Sequence, residues 1–185
     1  MSTFVALLRG VNVGGRNRLP MADLRAALTA DGLADVQTYI QSGNVVLTSA
    51  AKDPEVVAAR VRSVIAREFG LDIPAVTLSG QQLEALVDRN PYPGEPDPRR
   101  LHAIVLPHPA DDDTVAAAAE RQTAAAARGS RDAVTVVGRI AYLHTPDGFG
   151  RSELAKTLTA GARSPLGHGT ARNWATVTTL LGMCR

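Results

Sequence analysis

The sequence is poor in several residue types, and each shortage removes a class of function. A single cysteine, Cys184, allows no intramolecular disulfide and no cysteine-based metal cluster. Four histidines, at 102, 108, 144 and 168, fall without HxxH or HExxH spacing, so zinc chemistry has no pattern to rest on. Three phenylalanines, three tyrosines and one tryptophan are too few for an extended platform of stacked bases. No apolar run reaches the length of a membrane span. The apolar opening FVALL (4–8) has no basic region before it and is broken at once by Arg9 and Gly10, so it reads as a strand and not as a signal peptide. These features predict a cytoplasmic protein without a membrane partner. Lysine is scarce as well: of the twenty basic residues only Lys52 and Lys156 are not arginine. Arginine suits bidentate phosphate recognition, although a base composition favouring arginine codons explains the bias equally well.

What is present describes a globular chain. The composition is 45% hydrophobic with 21% charged residues, and 185 residues suffice for one large domain or two small ones. The net charge is only +2, but residues 1–22 carry three arginines and no acid, and residues 151–185 carry five basic groups against Glu153. The acidic excess lies between them. Both basic ends hold the unusual glycine-rich motifs.

Hydrophobic periodicity orders the elements. TFVALLR (3–9) alternates as a strand, and a helix starts near Pro20 with Leu24 and Leu28 on one face. Residues 35–49 read as a hairpin turning at Ser42-Gly43-Asn44, followed by a helix opened by Asp53-Pro54 and a strand at 74–79. This is the β-α-β-β-α-β pattern of a split βαβ unit. Ser79 and Gln82 form a capping-box signature for a connecting helix. NPYPGEPDPRR (90–100) holds four prolines and predicts a stiff connector between a first half at 1–89 and a second at 101–185. In the second half a strand, a helix with an acidic first turn, two strands around Gly138-Arg139, and two helices starting at Ser152 and Thr170 predict β-α-β-β-α-α, with Trp174, Val177 and Leu181 inward. The fold class expected is α+β: two ferredoxin-like halves with antiparallel sheets backed by helices.

The first candidate for chemistry is LRGVNVGGRNRLP (8–20). Gly10 and Gly15 have the outline of GxxxxGK[ST], but Asn17 offers no hydroxyl for magnesium, and the helix starts too late for its amides to cradle a phosphate. What survives is a weaker anion site, in which glycine-permitted turns converge backbone N–H groups and the three nearby guanidinium groups of Arg9, Arg16 and Arg18 add charge. A solvated connection with water-facing arginines accounts for the same residues. Gln41, Ser42 and Asn44 could bind a ligand or could merely build a hairpin turn. Arg151 with Ser152, and Thr170, Arg172 and Asn173, fall at expected helix starts, where anions are favoured. No GxSxG, Cys/His pair or carboxylate pair marks a catalytic constellation, no metal site is expected, and no cofactor can be named.

Taken together, LRGVNVGGRN, YIQSGNVV, NPYP, LHAIVL, AYLHTPDGFGRSEL and TARNWATVTTL resemble the mainly bacterial domain-of-unknown-function family sixteen ninety-seven, from residue 3 to about 181. The resemblance implies a two-part α+β fold with ferredoxin-like elements and brings no activity with it. Its signature falls on Arg9, Gly10, Asn12, Gly14, Gly15 and Asn17, on Gln41, Ser42, Gly43 and Asn44, and on Arg151, Ser152, Leu154, Arg172, Asn173 and Trp174. Glu153 departs from the usual RSKL, and Arg16 replaces a usual lysine with its charge retained. The function expected is binding of a phosphate-bearing ligand, a nucleotide or other small anion, with nucleic acid less favoured. An enzyme acting on such a ligand and a protein-interaction module are the alternatives.

Overall fold

A computed structural model describes residues 1–185. The first elements are β1 (Ser2–Leu8), α1 (Met21–Ala30), β2 (Ala34–Tyr39), β3 (Asn44–Ser49), α2 (Pro54–Phe69), β4 (Ala75–Ser79) and α3 (Gly80–Asp88). There follow β5 (Leu101–Val105), α4 (Asp112–Ala126), β6 (Ala133–Val137), β7 (Ile140–His144), α5 (Glu153–Thr159), β8 (Thr170–Asn173) and α6 (Trp174–Met183), with a 3-10 turn at Phe149–Arg151.

The strands form two antiparallel four-stranded sheets, ordered β2-β3-β1-β4 and β6-β7-β5-β8. Each order follows the same scheme, so both halves are ferredoxin-like and the fold is α+β. One expectation is corrected here. The second half does not end in two helices: Thr170–Asn173 is a strand, paired to β5 with Ala103 opposite Arg172 and Val105 opposite Thr170. Thr170 and Asn173 are both good helix N-caps, and Asn173 is the one used, its Oδ1 accepting from the Thr176 amide at 2.8 Å. The residues before it instead satisfy the open edge of β5, a demand that no local pattern announces. Gly169 permits the approach, since a Cβ there would meet Ile104 Cγ2 at 2.6 Å.

The chain divides into two compact units, Met1–Ala85 with Thr179–Arg185, and Leu86–Thr178. The proline-rich segment 90–100, expected as the connector, is irregular but anchored within the second unit. Tyr92 Oη lies 3.0 Å from Thr135 Oγ1, Glu95 lies 2.7 Å from His144 Nε2, and the Thr145 amide donates to the Arg100 carbonyl at 2.7 Å.

Local signals set most of the helix ends. Asp53 caps α2 through the Glu55 amide at 2.9 Å with Pro54 behind it, and Gly70 closes the helix at φ 64°. Ser79 and Gln82 exchange reciprocal bonds of 2.9 and 3.2 Å, the capping box at the start of α3. In the first unit Phe4, Ala6 and Leu8 of β1 and Val45 and Leu47 of β3 pack with Leu24 and Leu28 of α1 and Val57, Val61, Val64 and Ile65 of α2. Each of the buried Val, Leu, Ile and Phe side chains stabilises the fold by about 1.5–3 kcal/mol. In the second unit Ile104, Ala141 and Leu143 pack with Ala118 and Ala125 of α4 and Leu154 and Leu158 of α5. On α6, Val177 is buried as expected, but the second inward residue is Leu180 and not Leu181.

Two of the sheet edges are blunted. Register shifts between Ala34 and Gln37 on β2, where Asp35 adopts φ 50°, and on β6 the Val134 amide donates to Gln122 Oε1 at 2.6 Å. No helix is long and apolar enough to cross a membrane.

Candidate functional site

The loop from Arg9 to Leu19 is a fixed object. Five of its residues take positive φ: Gly10 at 69°, Asn12 at 54°, Gly14 at 58°, Gly15 at 76° and Asn17 at 48°. Glycine and asparagine are the residues that tolerate this region, which is why they crowd the segment. Gly14-Gly15 turns the chain so that Arg16 N donates to Val13 O at 3.1 Å, and below it Asn12 N donates to Asn17 O at 3.1 Å. Asn17 Nδ2 closes the neck on Gly10 O at 3.0 Å.

Asn12 is the rivet. Its Oδ1 accepts from Leu19 N at 2.9 Å, and its Nδ2 donates to Leu19 O and to Gln41 O, each at 2.9 Å. The last bond clips the loop to the β2–β3 turn. Leu8 N donates to Gly43 O at 2.8 Å across the same seam, where Gly43 lies flush against Val11 and Leu8. The structure therefore brings the first loop and the SGN turn together, but their asparagines serve as scaffold. Asn44, fully buried, closes the turn from inside by donating to Tyr39 O at 3.1 Å. Asn12→Asp should destabilise the first unit by about 2–4 kcal/mol, because a carboxylate oxygen would face two carbonyls where an amide donated to both. Asn17→Asp, losing one exposed bond, should cost about 1 kcal/mol; equal effects in denaturant titrations would refute the rivet role.

What the platform holds outward is basic. Arg16 and Arg18 are exposed and Arg9 is half-buried, and none of the three guanidinium groups has a carboxylate partner. Elsewhere in this unit Arg60 and Arg67 converge on Asp31, at 2.7 and 3.0 Å, and Arg62 pairs with Glu55. The Gly14 and Gly15 amides at the tip donate to no protein acceptor. Gln41 and Ser42 are exposed beside the clip.

The remaining candidates lie in the second unit. Ser152 is buried, caps α5 by accepting from Ala155 N at 2.8 Å, and donates to Asp132 Oδ2 at 2.8 Å. With exposed Arg151 it lines a cleft of about 240 Å³ that also takes in Arg128, Asp132 and Asp147. Arg128 and Asp132 could not be placed from sequence, because they lie in the connection between α4 and β6, which only the fold brings to Arg151 and Ser152. Thr170, Arg172 and Asn173 are not in this cleft and, correcting the expectation, do not form a helix's first turn. Arg172 Nη1 donates to Thr170 Oγ1 at 2.8 Å and Ala171 O at 2.9 Å, and burial lowers its pKa to about 10, still protonated at neutral pH. The Asn173 side chain is the cap of α6.

Twin ferredoxin-like units, the first with a basic, glycine-built loop between its first strand and first helix, define the class of α+β protein to which the chain belongs. The chain belongs to the family of proteins of unknown function DUF1697, whose model matches residues 1–142. Its fold is similar over all of this chain and 99% of the other to the conserved bacterial protein SP0830 from Streptococcus pneumoniae, with a TM-score of 0.73 and 25% identity. No curated protein matches it.

Proposed function

We propose that the protein binds a phosphate-bearing ligand at the platform formed by the Arg9–Leu19 loop and the β2–β3 turn. One observation carries the reading: a backbone fixed by Asn12 and Asn17 presents Arg9, Arg16 and Arg18 without carboxylate partners. Exposed arginines are ordinarily mobile, and ordering them around an anion costs entropy. A loop already held by side-chain-to-backbone bonds has lost its backbone freedom before the ligand arrives, which leaves only the side chains to be ordered. Guanidinium forks then offer paired donors to phosphate oxygens, and the unengaged Gly14 and Gly15 amides add neutral donors at the tip. Gln41 and Ser42 extend the polar rim.

The test is a thermal-shift titration with inorganic pyrophosphate, nucleotides and oligonucleotides at two salt concentrations. Ligand at a hundred times its Kd should add about 2.7 kcal/mol to the folded state, an effect that shrinks in Arg16→Ala and Arg18→Ala and at high salt. The absence of a shift with every anion, or shifts unchanged in both variants, would exclude this reading.

A further inference from the structure

We infer that the ligand of this platform carries a nucleobase beside its phosphate, so that the bound unit is a nucleotide, free or within a short single strand. The inference rests on the phosphate reading above and names its ligand class. Its observations are two apolar side chains that serve no core. Val13 is 67% exposed and Ile40 is 52% exposed. Each stands one residue from the Asn12–Gln41 bond that joins loop to turn.

Ile40 is also strained. It adopts φ 50°, whereas the other non-glycine residues at positive φ are Asn12, Asn17 and Asp35, types that tolerate the left-handed region. A β-branched side chain there is held against its backbone preference. Neither turn formation nor core packing accounts for isoleucine at that position, since asparagine or glycine would build the same turn with less strain. Contact with a ligand does account for it. A bare phosphate is strongly hydrated and gains nothing from aliphatic carbon, but a nucleobase has a broad, weakly hydrated face that aliphatic side chains can cover. Basic groups and aliphatic groups on one rigid platform therefore match a molecule that has both parts.

The experiment compares ADP, inorganic pyrophosphate and a short single-stranded oligonucleotide by calorimetric titration of the full chain and of Ile40→Asn and Val13→Ser. ADP should bind about fivefold to tenfold more tightly than pyrophosphate, the gain expected for covering a modest apolar area. Ile40→Asn should remove most of that preference while leaving pyrophosphate binding in place, and should raise the melting temperature by roughly 3 °C or more through relief of strain. Val13→Ser, on an exposed tip, tests the preference independently of Ile40. Oligonucleotide binding tighter than ADP, with a steep salt dependence, assigns the polymer as the source; weaker binding assigns the free nucleotide. Equal affinity for ADP and pyrophosphate, or a preference that survives both substitutions, overturns the nucleobase inference and leaves the phosphate reading standing. Binding of none of the probes overturns both.

Discussion

Gly43→Ala should destabilise the first unit by about 2–5 kcal/mol, a large fraction of the stability of an ordinary domain. Two costs add. At φ 72° an alanine Cβ meets its own following carbonyl, worth about 1–2 kcal/mol. The same Cβ would stand 2.5 Å from Val11 Cγ2 and 2.6 Å from Leu8 Cβ, contacts that must be relieved by moving the loop off β1 or the turn off β3. Overpacking of this kind costs about 1–3 kcal/mol. Gly14→Ala separates the two costs, because Gly14 has φ 58° but nothing within 4 Å of the added carbon. It should therefore lose only about 1–2 kcal/mol. Thermal and denaturant unfolding of the two variants checks this. Equal losses would show that the loop and turn are not in close contact, and the platform would lose its foundation.

The second large effect is a loss of stability on mild acidification, centred on His102. This side chain sits on β5, stacked on Phe149 with ring centroids 4.2 Å apart, and its Nδ1 is buried without a hydrogen-bond partner. Burial disfavours the imidazolium and lowers its pKa from 6.5 to about 4. Between those values the unfolded chain binds a proton that the folded chain refuses, so stability rises with pH across the window and falls as pH drops through it. The shift corresponds to on the order of 3 kcal/mol between pH 7 and pH 4. The carboxylates act in a lower window. Arg60, then Arg67, hold Asp31 below the ordinary range; the Asp97 amide, then His144, hold Glu95 there; and Arg99 holds Asp97 at about 2. Their contributions are full above the unfolded carboxylate values and fade as pH falls through the folded ones. His102→Phe keeps a stacked ring and removes the titration. Its stability should be nearly flat from pH 6.5 to pH 4.5, and a slope as steep as that of the unsubstituted protein would rule His102 out as the source.

Much of the fold was legible in the chain, and the particular elements show why. The alternation in β1, the heptad-like spacing of valines in α2, the Asp53-Pro54 start and the Ser79/Gln82 box are rules of one strand or one helical turn. They act over a few residues and need no partner from elsewhere. The family signature was legible for a related reason: glycine and asparagine cluster where the backbone must turn left-handed, and Asn12, Gly14, Gly15 and Asn17 mark such positions. Their purpose was not legible. A donor amide looks the same in a sequence whether it faces a ligand or rivets Leu19 to Gln41. Ile40 gave no warning of its φ, because the β2–β3 turn is fitted to the first loop.

The sequence by itself determined the order of elements from β1 to α5, most helix starts, the α+β class and the basic character of the first loop, because periodicity, capping and charge are local properties. Tertiary structure alone decided that Thr170–Asn173 would be a strand, that the asparagines would hold the loop, and that Val13 and Ile40 would be left exposed. Those outcomes depend on which distant backbone groups and surfaces remain unsatisfied once the sheets have formed, and that free energy belongs to no single stretch of the chain.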